Sequence, residues 1–257
     1  MNTLVMGTEQ VVGATPTLRR AKADVRSRYV INFRVEPSVA RSLLPVDWLE
    51  PQIVNGFAVM SFCPYVLDAV RLAGIPKMFG VASVCSAYRL AVIDISGPAA
   101  RPAAWVPGRQ TTARSVAKLG PRSLRTNFDR ITATITVGSS TATTSILMTQ
   151  HNGDTMFRAT VEPAVDPSGV LFEDTNAFAT FFTAATTSWA PSSVAGSWMK
   201  LDLDAGNTRY SPLAITSVDA PDVVGDAVVD SAFIGVGGSY CWSCAGIRNS
   251  RAETVYE

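Results

Sequence analysis

A single histidine, His151, serves the whole chain, and lysine is nearly as scarce: Lys22, Lys77, Lys118 and Lys200 stand against eighteen arginines. A Ser-His-Asp hydrolase would have to use His151, which immediately precedes the turn sequence Asn152-Gly153-Asp154, and no nucleophile elbow occurs elsewhere. The four cysteines are dispersed, and the one CxxC, Cys241 to Cys244, lacks the further ligands that a zinc site needs. They are expected as buried thiols in a reducing compartment. No glycine-rich loop follows a strand and opens a helix, so a nucleotide phosphate has no ready cradle. No apolar run approaches the length of a bilayer span, and residues 1–10 have no basic start followed by an apolar stretch, so a cytoplasmic location is expected. The net charge is only +1, which gives little electrostatic drive toward nucleic acid or anionic lipid. Neither is expected as a partner, and no metal or cofactor is expected.

What is present is a chain of 257 residues, 47% hydrophobic and 17% charged, long enough for a sizeable core. Residues 1–25 form no regular pattern and are expected as a loose lead-in to one domain over 26–257. Tyr29, Ile31, Phe33 and Val35 alternate with more polar neighbours, as in a half-buried strand. Glu36-Pro37-Ser38 then reads as a helix start, with Pro in the first turn. Asn55-Gly56, Asn152-Gly153-Asp154 and Gly237-Gly238 each lie between strand-like runs and predict hairpins. Further strands are expected over 81–95, 103–106 and 127–137, with a short helix over 111–119. Asp174 or Thr175 caps a second helix, whose Ala177, Phe178, Phe181 and Phe182 form an apolar face expected to pack on the sheet. Many strands with a few short helices make the fold mainly β, a large antiparallel sheet or barrel.

The scarcity of lysine draws attention to Lys118, which has Val116, Ala117 and Leu119 as neighbours. An amine in an apolar setting loses its proton near neutral pH and can form a Schiff base with a carbonyl compound. The alternative is a lysine at a helix end, facing solvent.

The stretch YVINFRVEPSVARSLLPVDWLEPQIVNGFAVMSFCPY resembles the opening of acetoacetate decarboxylase-like proteins: a strand, a short helix leading to an LLP turn, then a hairpin. AAWVPGRQTTARSVAKLG resembles that family's active-site region, where a GRE segment precedes a lysine pair and LG. FEDTNAFATFFTAATTSW, YSPLAITSV and VVDSAFIGVGGSYCWSCAGI are similar to the YqjF-like branch of the superfamily. The resemblance covers residues 26–247 in order and implies a β-barrel-like fold with an internal cavity. In the family's decarboxylases a lysine forms the Schiff base, a neighbouring lysine lowers its pKa, and an arginine and glutamates complete the site.

Carried onto this chain, the match is partial. Read back from Leu119-Gly120, Lys118 falls on the second lysine and Ala117 on the first; counted forward from Gly108-Arg109, Lys118 occupies the first position. Neither register supplies two lysines. Gln110 stands for the GRE glutamate, and no glutamate occurs between Glu50 and Glu162, which leaves Asp68 as the proton-transfer candidate. Arg26 matches the substrate-orienting arginine, with Arg28 as the neighbour that a small register change would substitute. Arg109 is expected to anchor an anionic group, and Tyr65, Tyr88 and Trp105 to line the pocket. The resemblance implies an enzyme acting on a small carbonyl or β-keto acid metabolite by decarboxylation, aldol-type chemistry or cyclisation/isomerisation, with assembly into a homo-oligomer. The alternative is a non-catalytic small-molecule-binding protein of the same fold.

Overall fold

In the computed structural model, residues 20–139, 142–221 and 227–249 are described. The chain opens with β1 (Arg20–Val35), α1 (Pro37–Ser42), β2 (Leu49–Pro51), β3 (Ile53–Val54), β4 (Phe57–Phe62) and β5 (Tyr65–Leu72). β6 (Val81–Asp94), β7 (Arg101–Trp105), β8 (Arg109–Thr111), α2 (Arg114–Ser123), β9 (Asp129–Val137), β10 (Thr144–Gln150) and β11 (Thr155–Pro163) follow. α3 (Thr175–Ala184), β12 (Thr187–Pro191), β13 (Ser197–Ala205), β14 (Arg209–Asp219), β15 (Val228–Val236) and β16 (Ser239–Asn249) complete the fold. No helix among the described residues is long and apolar enough to cross a membrane.

Local chemistry explains several of these boundaries. Asn55 and Gly56 both take positive φ, 49° and 86°, which matches the right-handed twist of the strands they join. The carboxylate of Asp174 accepts a hydrogen bond from the Ala177 amide at 2.7 Å and starts α3. α2 begins at Arg114 and runs through Pro121 to Ser123, later than the pattern over 111–119 implies, because Gln110 and Thr111 pair with Asp129 and Arg130 as part of β8.

Two expectations are corrected. β1 starts at Arg20, inside the expected lead-in, because Ala21, Ala23 and Val25 bury one face while the strand pairs with β16 and β5. Gly237-Gly238 does not close a hairpin. β15 pairs with Ser27–Arg34 and β16 with Arg20–Asp24, both antiparallel to the same long β1. The two glycines, with φ of 75° and 98°, form a kink that lets one bulged strand travel past β1, and the Val25 amide bonds to the Gly238 carbonyl there.

Among the described residues, sixteen strands form one sheet, antiparallel except for the β7–β12 and β8–β9 pairings. The pairing closes on itself twice. One cycle runs β1, β15, β14, β11, β10, β9, β8, β6, β4 and back to β1. The largest apolar cluster lies here, with Ile31, Phe33, Phe62, Ile146, Met148 and Phe157 all buried. The second cycle shares β1 and β6 and runs β1, β5, β6, β7, β12, β13, β16. Its interior carries less apolar filling, and the cavity lies here.

Candidate functional site

Alternation along a strand sends every second side chain to the same face. On β6 this aligns Cys85, Ala87 and Arg89, and register places Tyr65 opposite Cys85, Arg28 opposite Tyr65 and Arg109 opposite Ala87. These residues line a cavity of about 130 Å³ inside the second cycle. That is room for a compact metabolite. Val116 of α2, Leu124, Leu201, Leu203 and Trp242 supply much of its apolar wall.

Among the described residues, three arginines and no carboxylate face this space. Arg28 is only 2% exposed. Its guanidinium carbon lies 4.5 Å from the Tyr65 ring centroid and 4.2 Å from that of Phe182, and its Nη1 donates to the Tyr240 hydroxyl at 3.4 Å. Arg89 lies over Phe182 as well, also at 4.2 Å. Arg109 donates through Nη2 to Ser188 Oγ at 3.1 Å. The Arg28 Nε and Arg109 Nη1 are buried donors without a protein partner. The four ion pairs among the described residues are Arg26–Asp68, Arg34–Asp230, Lys77–Asp24 and Lys200–Asp94, and none involves a cavity arginine. Uncompensated cations in a poorly solvated space are costly unless an anion arrives.

The titration of these groups follows from the burial. Burial pulls the Arg109 guanidinium down to about 10. Burial also takes Arg89 below the usual arginine range, and the Arg28 charge adds to the effect. At Arg28 burial opposes the charge, but the hydroxyls of Tyr65, Tyr240 and Tyr210 outweigh it and hold the proton firmly. Burial pushes the Tyr65 phenol well above its ordinary range and raises the Cys85 thiol. Both therefore stay protonated at neutral pH, and neither is a base.

Of the residues singled out in the sequence, Arg28, Tyr65 and Arg109 come together at the cavity. Arg26 and Asp68 also meet, but outside it, as an exposed ion pair with Nη2 to Oδ1 at 2.9 Å. The cause is a bulge: Val25 pairs with Leu67 and Ser27 with Val66, which leaves Arg26 as the extra residue. The alternation flips there, so Arg28 points in and Arg26 out. Lys118 is exposed on α2 and is not among the cavity-lining residues, because the turn of that helix presents Val116 inward. Gln110 lies on the opposite face of β8 from Arg109, buried, its Oε1 accepting from Ser86 Oγ at 3.0 Å. With Tyr88, which stacks on Phe62, it faces a wider and more open cleft that also holds His151. Trp105 is buried against Trp198, ring centroids 5.4 Å apart, and does not line the cavity.

Arg89 and Ser188 escaped the sequence analysis, and Phe182 was expected only as part of an apolar helix face packed on the sheet. Arg89 left a signal, an arginine on the Cys85/Ala87 face of β6; Ser188 left none. Among the described residues, no group of three or more His, Cys, Asp or Glu could hold a metal ion.

No protein-family model matches the sequence, and no curated protein matches it. Solved structures do match in fold. An acetoacetate decarboxylase-like enzyme from Sphingomonas wittichii RW1 is 13% identical with a TM-score of 0.59, over 90% of this chain and 93% of that one. An acetoacetate decarboxylase from Legionella pneumophila is 10% identical with a TM-score of 0.60, over 95% and 91%. The enduracididine biosynthesis enzyme MppR, complexed with pyruvate, is 14% identical with a TM-score of 0.58, over 93% and 91%. The chain has the acetoacetate decarboxylase-like fold.

Proposed function

We propose that this protein of acetoacetate decarboxylase-like fold decarboxylates a small β-oxo acid without forming a Schiff base, using cavity arginines to stabilise the enolate charge that develops on the ketone oxygen. The observation that carries the reading is a small cavity holding Arg28, Arg89 and Arg109 with no carboxylate among the described residues to neutralise them. Two of the three retain buried donors with no protein partner, which a carboxylate or enolate oxygen would accept. The bound pyruvate of the MppR structure supports a small oxo acid as the ligand class.

Which oxo-acid reaction fits is decided by the groups on the wall. Aldol-type chemistry and isomerisation begin by removing a proton, and among the described residues no lysine, histidine or carboxylate lines the cavity. Tyr65 and Cys85, pushed upward by burial, hold their protons. Decarboxylation needs no base. The bond between the α-carbon and the carboxylate breaks, its electron pair enters the ketone to give an enolate, and CO2 leaves. A guanidinium stabilises the enolate oxygen as its charge develops. The α-carbon then takes a proton from the Tyr65 hydroxyl, which water replenishes.

The test is CO2 release from a panel of β-oxo acids above the uncatalysed rate, with Arg109→Met expected to lower kcat/KM by about 100-fold. Binding without CO2 release would select the second reading, a binding protein, which the missing amine and carboxylates favour; neither binding nor release would sink both. Lys118→Ala is expected to leave the rate within about twofold, and borohydride with substrate to add no mass. A Lys118-dependent adduct would restore the amine mechanism.

The pH dependence of binding follows from Arg109. Its charged form binds the anion, and in the free protein that form is lost as pH rises through about 10. Affinity for an unreactive acid is expected to hold between pH 7 and 9 and to fall about tenfold per unit above 10. Calorimetric titration across that range checks it, and a decline that persists in Arg109→Met assigns the titration elsewhere.

A further inference from the structure

The three cavity arginines are arranged as two poles. Arg28 and Arg89 converge on Phe182, each guanidinium carbon 4.2 Å from the ring centroid. Arg109 is drawn to a different wall by its hydrogen bond to Ser188 Oγ on β12. The backbone separates them too. Arg109 pairs with Ala87, and Arg89 lies two residues further along β6, a diagonal spacing of about 7–8 Å. Ala104, Val106, Val116, Leu124 and Leu201 give the cavity an apolar wall.

A single carboxylate would leave a cavity of three cations with a net excess of positive charge. The chemistry adds a second requirement. A carboxylate that departs as CO2 loses its charge on the way to the transition state, so a guanidinium gripping it stabilises the ground state and slows the reaction. The departing carboxylate belongs against the apolar wall, and the ligand needs another anionic group to hold it. Resting on the decarboxylation proposed above, we infer that the substrate is a β-oxo dicarboxylate, its spectator carboxylate on one arginine pole and its ketone oxygen on the other.

The experiment compares diacids with monoacids, first on the unmodified protein. Among unreactive probes, succinate or glutarate is expected to bind at least tenfold more tightly than butyrate in calorimetric titrations. Among reactive ones, oxaloacetate or 3-oxoglutarate is expected to show a kcat/KM at least tenfold above that of acetoacetate, after subtraction of uncatalysed loss. Of Arg89→Met and Arg109→Met, which act on different poles, the one that removes the partner of the spectator carboxylate should bring the diacid-to-monoacid ratio of kcat/KM close to one, and the other should slow both acids alike; a ratio that neither variant changes overturns the assignment. Equal binding of butyrate and the diacids, with acetoacetate turned over as fast, overturns the dicarboxylate assignment while the decarboxylase reading stands. Displacement of glutarate by equimolar inorganic phosphate also overturns it, because the poles then recognise any anion. Failure of every acid to bind or react removes the parent reading, and the inference with it. The ratio in the unmodified protein decides the matter even if a variant fails to fold.

Discussion

Replacing Asp230 by alanine is expected to remove about 3 kcal/mol of folding free energy and to weaken acid binding in a cavity that Asp230 does not line. The side chain is fully buried on β15. Its Oδ1 accepts from the Val170 amide at 2.9 Å and its Oδ2 from the Leu171 amide at 3.2 Å. Alanine leaves two donors without acceptors, each costing about 1–3 kcal/mol where water cannot reach. Arg34, 3.9 Å away and partly exposed, can rehydrate and adds little. The loop so pinned leads into α3, and its Leu171 and Phe172 pack with Phe178, Phe182 and Phe233. Phe182 in turn is the platform for Arg28 and Arg89. Loosening the loop therefore blurs the arginine pair, and acid affinity should fall about tenfold with no cavity residue changed. Gly169→Ala tests the same clamp from the other side: Gly169 has φ +89°, and a Cβ there would run into the Asp230 carboxylate. Urea denaturation of both variants beside acid titrations checks the pair of effects. A loss below 1 kcal/mol would mean that the loop amides find other acceptors.

The legible parts of the fold were those settled within a few residues. Asn55-Gly56 and Asn152-Gly153-Asp154 specify turns by their own dihedral preferences, and Asp174 caps α3 by reaching its third neighbour. Gly237-Gly238 has the same local look but the opposite outcome, because β1 is long enough to take β15 and β16 in succession, and no nearby residue announces that. The site divides in the same way. Arg28 and Arg109 were singled out through a resemblance in segment order, and Tyr65 as an aromatic able to line a pocket. Whether Arg26 or Arg28 points inward depends on one bulged residue against β5, and whether Lys118 or Val116 faces the cavity depends on the phase of α2. Arg89 belongs to the site through register with β8, which only long-range pairing sets.

The arginine cavity also carries a cost that can be measured without any ligand. Arg109 holds a charge in a poorly solvated wall, with one hydrogen bond and one orphaned donor. Arg109→Met keeps much of the aliphatic length and removes the charge. Ligand-free Arg109→Met is expected to be more stable than the unmodified protein by about 2 kcal/mol at neutral pH, since exchanging a buried uncompensated ion for an apolar group of similar size is commonly stabilising. Burial lowers the folded-state value to about 10, below the value in the unfolded chain, so between the two the unfolded state binds more protons. The penalty is complete below pH 10 and is relieved as pH climbs from 10 toward the ordinary arginine range. The stability gap between variant and unmodified protein should therefore be constant from pH 7 to 9 and narrow by pH 11, while other titrating groups cancel in the difference. Saturating acid reverses the order, because a ligand binding only the unmodified folded state adds stability in proportion to the logarithm of its concentration over Kd. A variant less stable than the unmodified protein at every pH would show Arg109 to be a structural residue. A variant more stable when free yet indifferent to acid is the signature of a charge retained for its ligand at the expense of the fold.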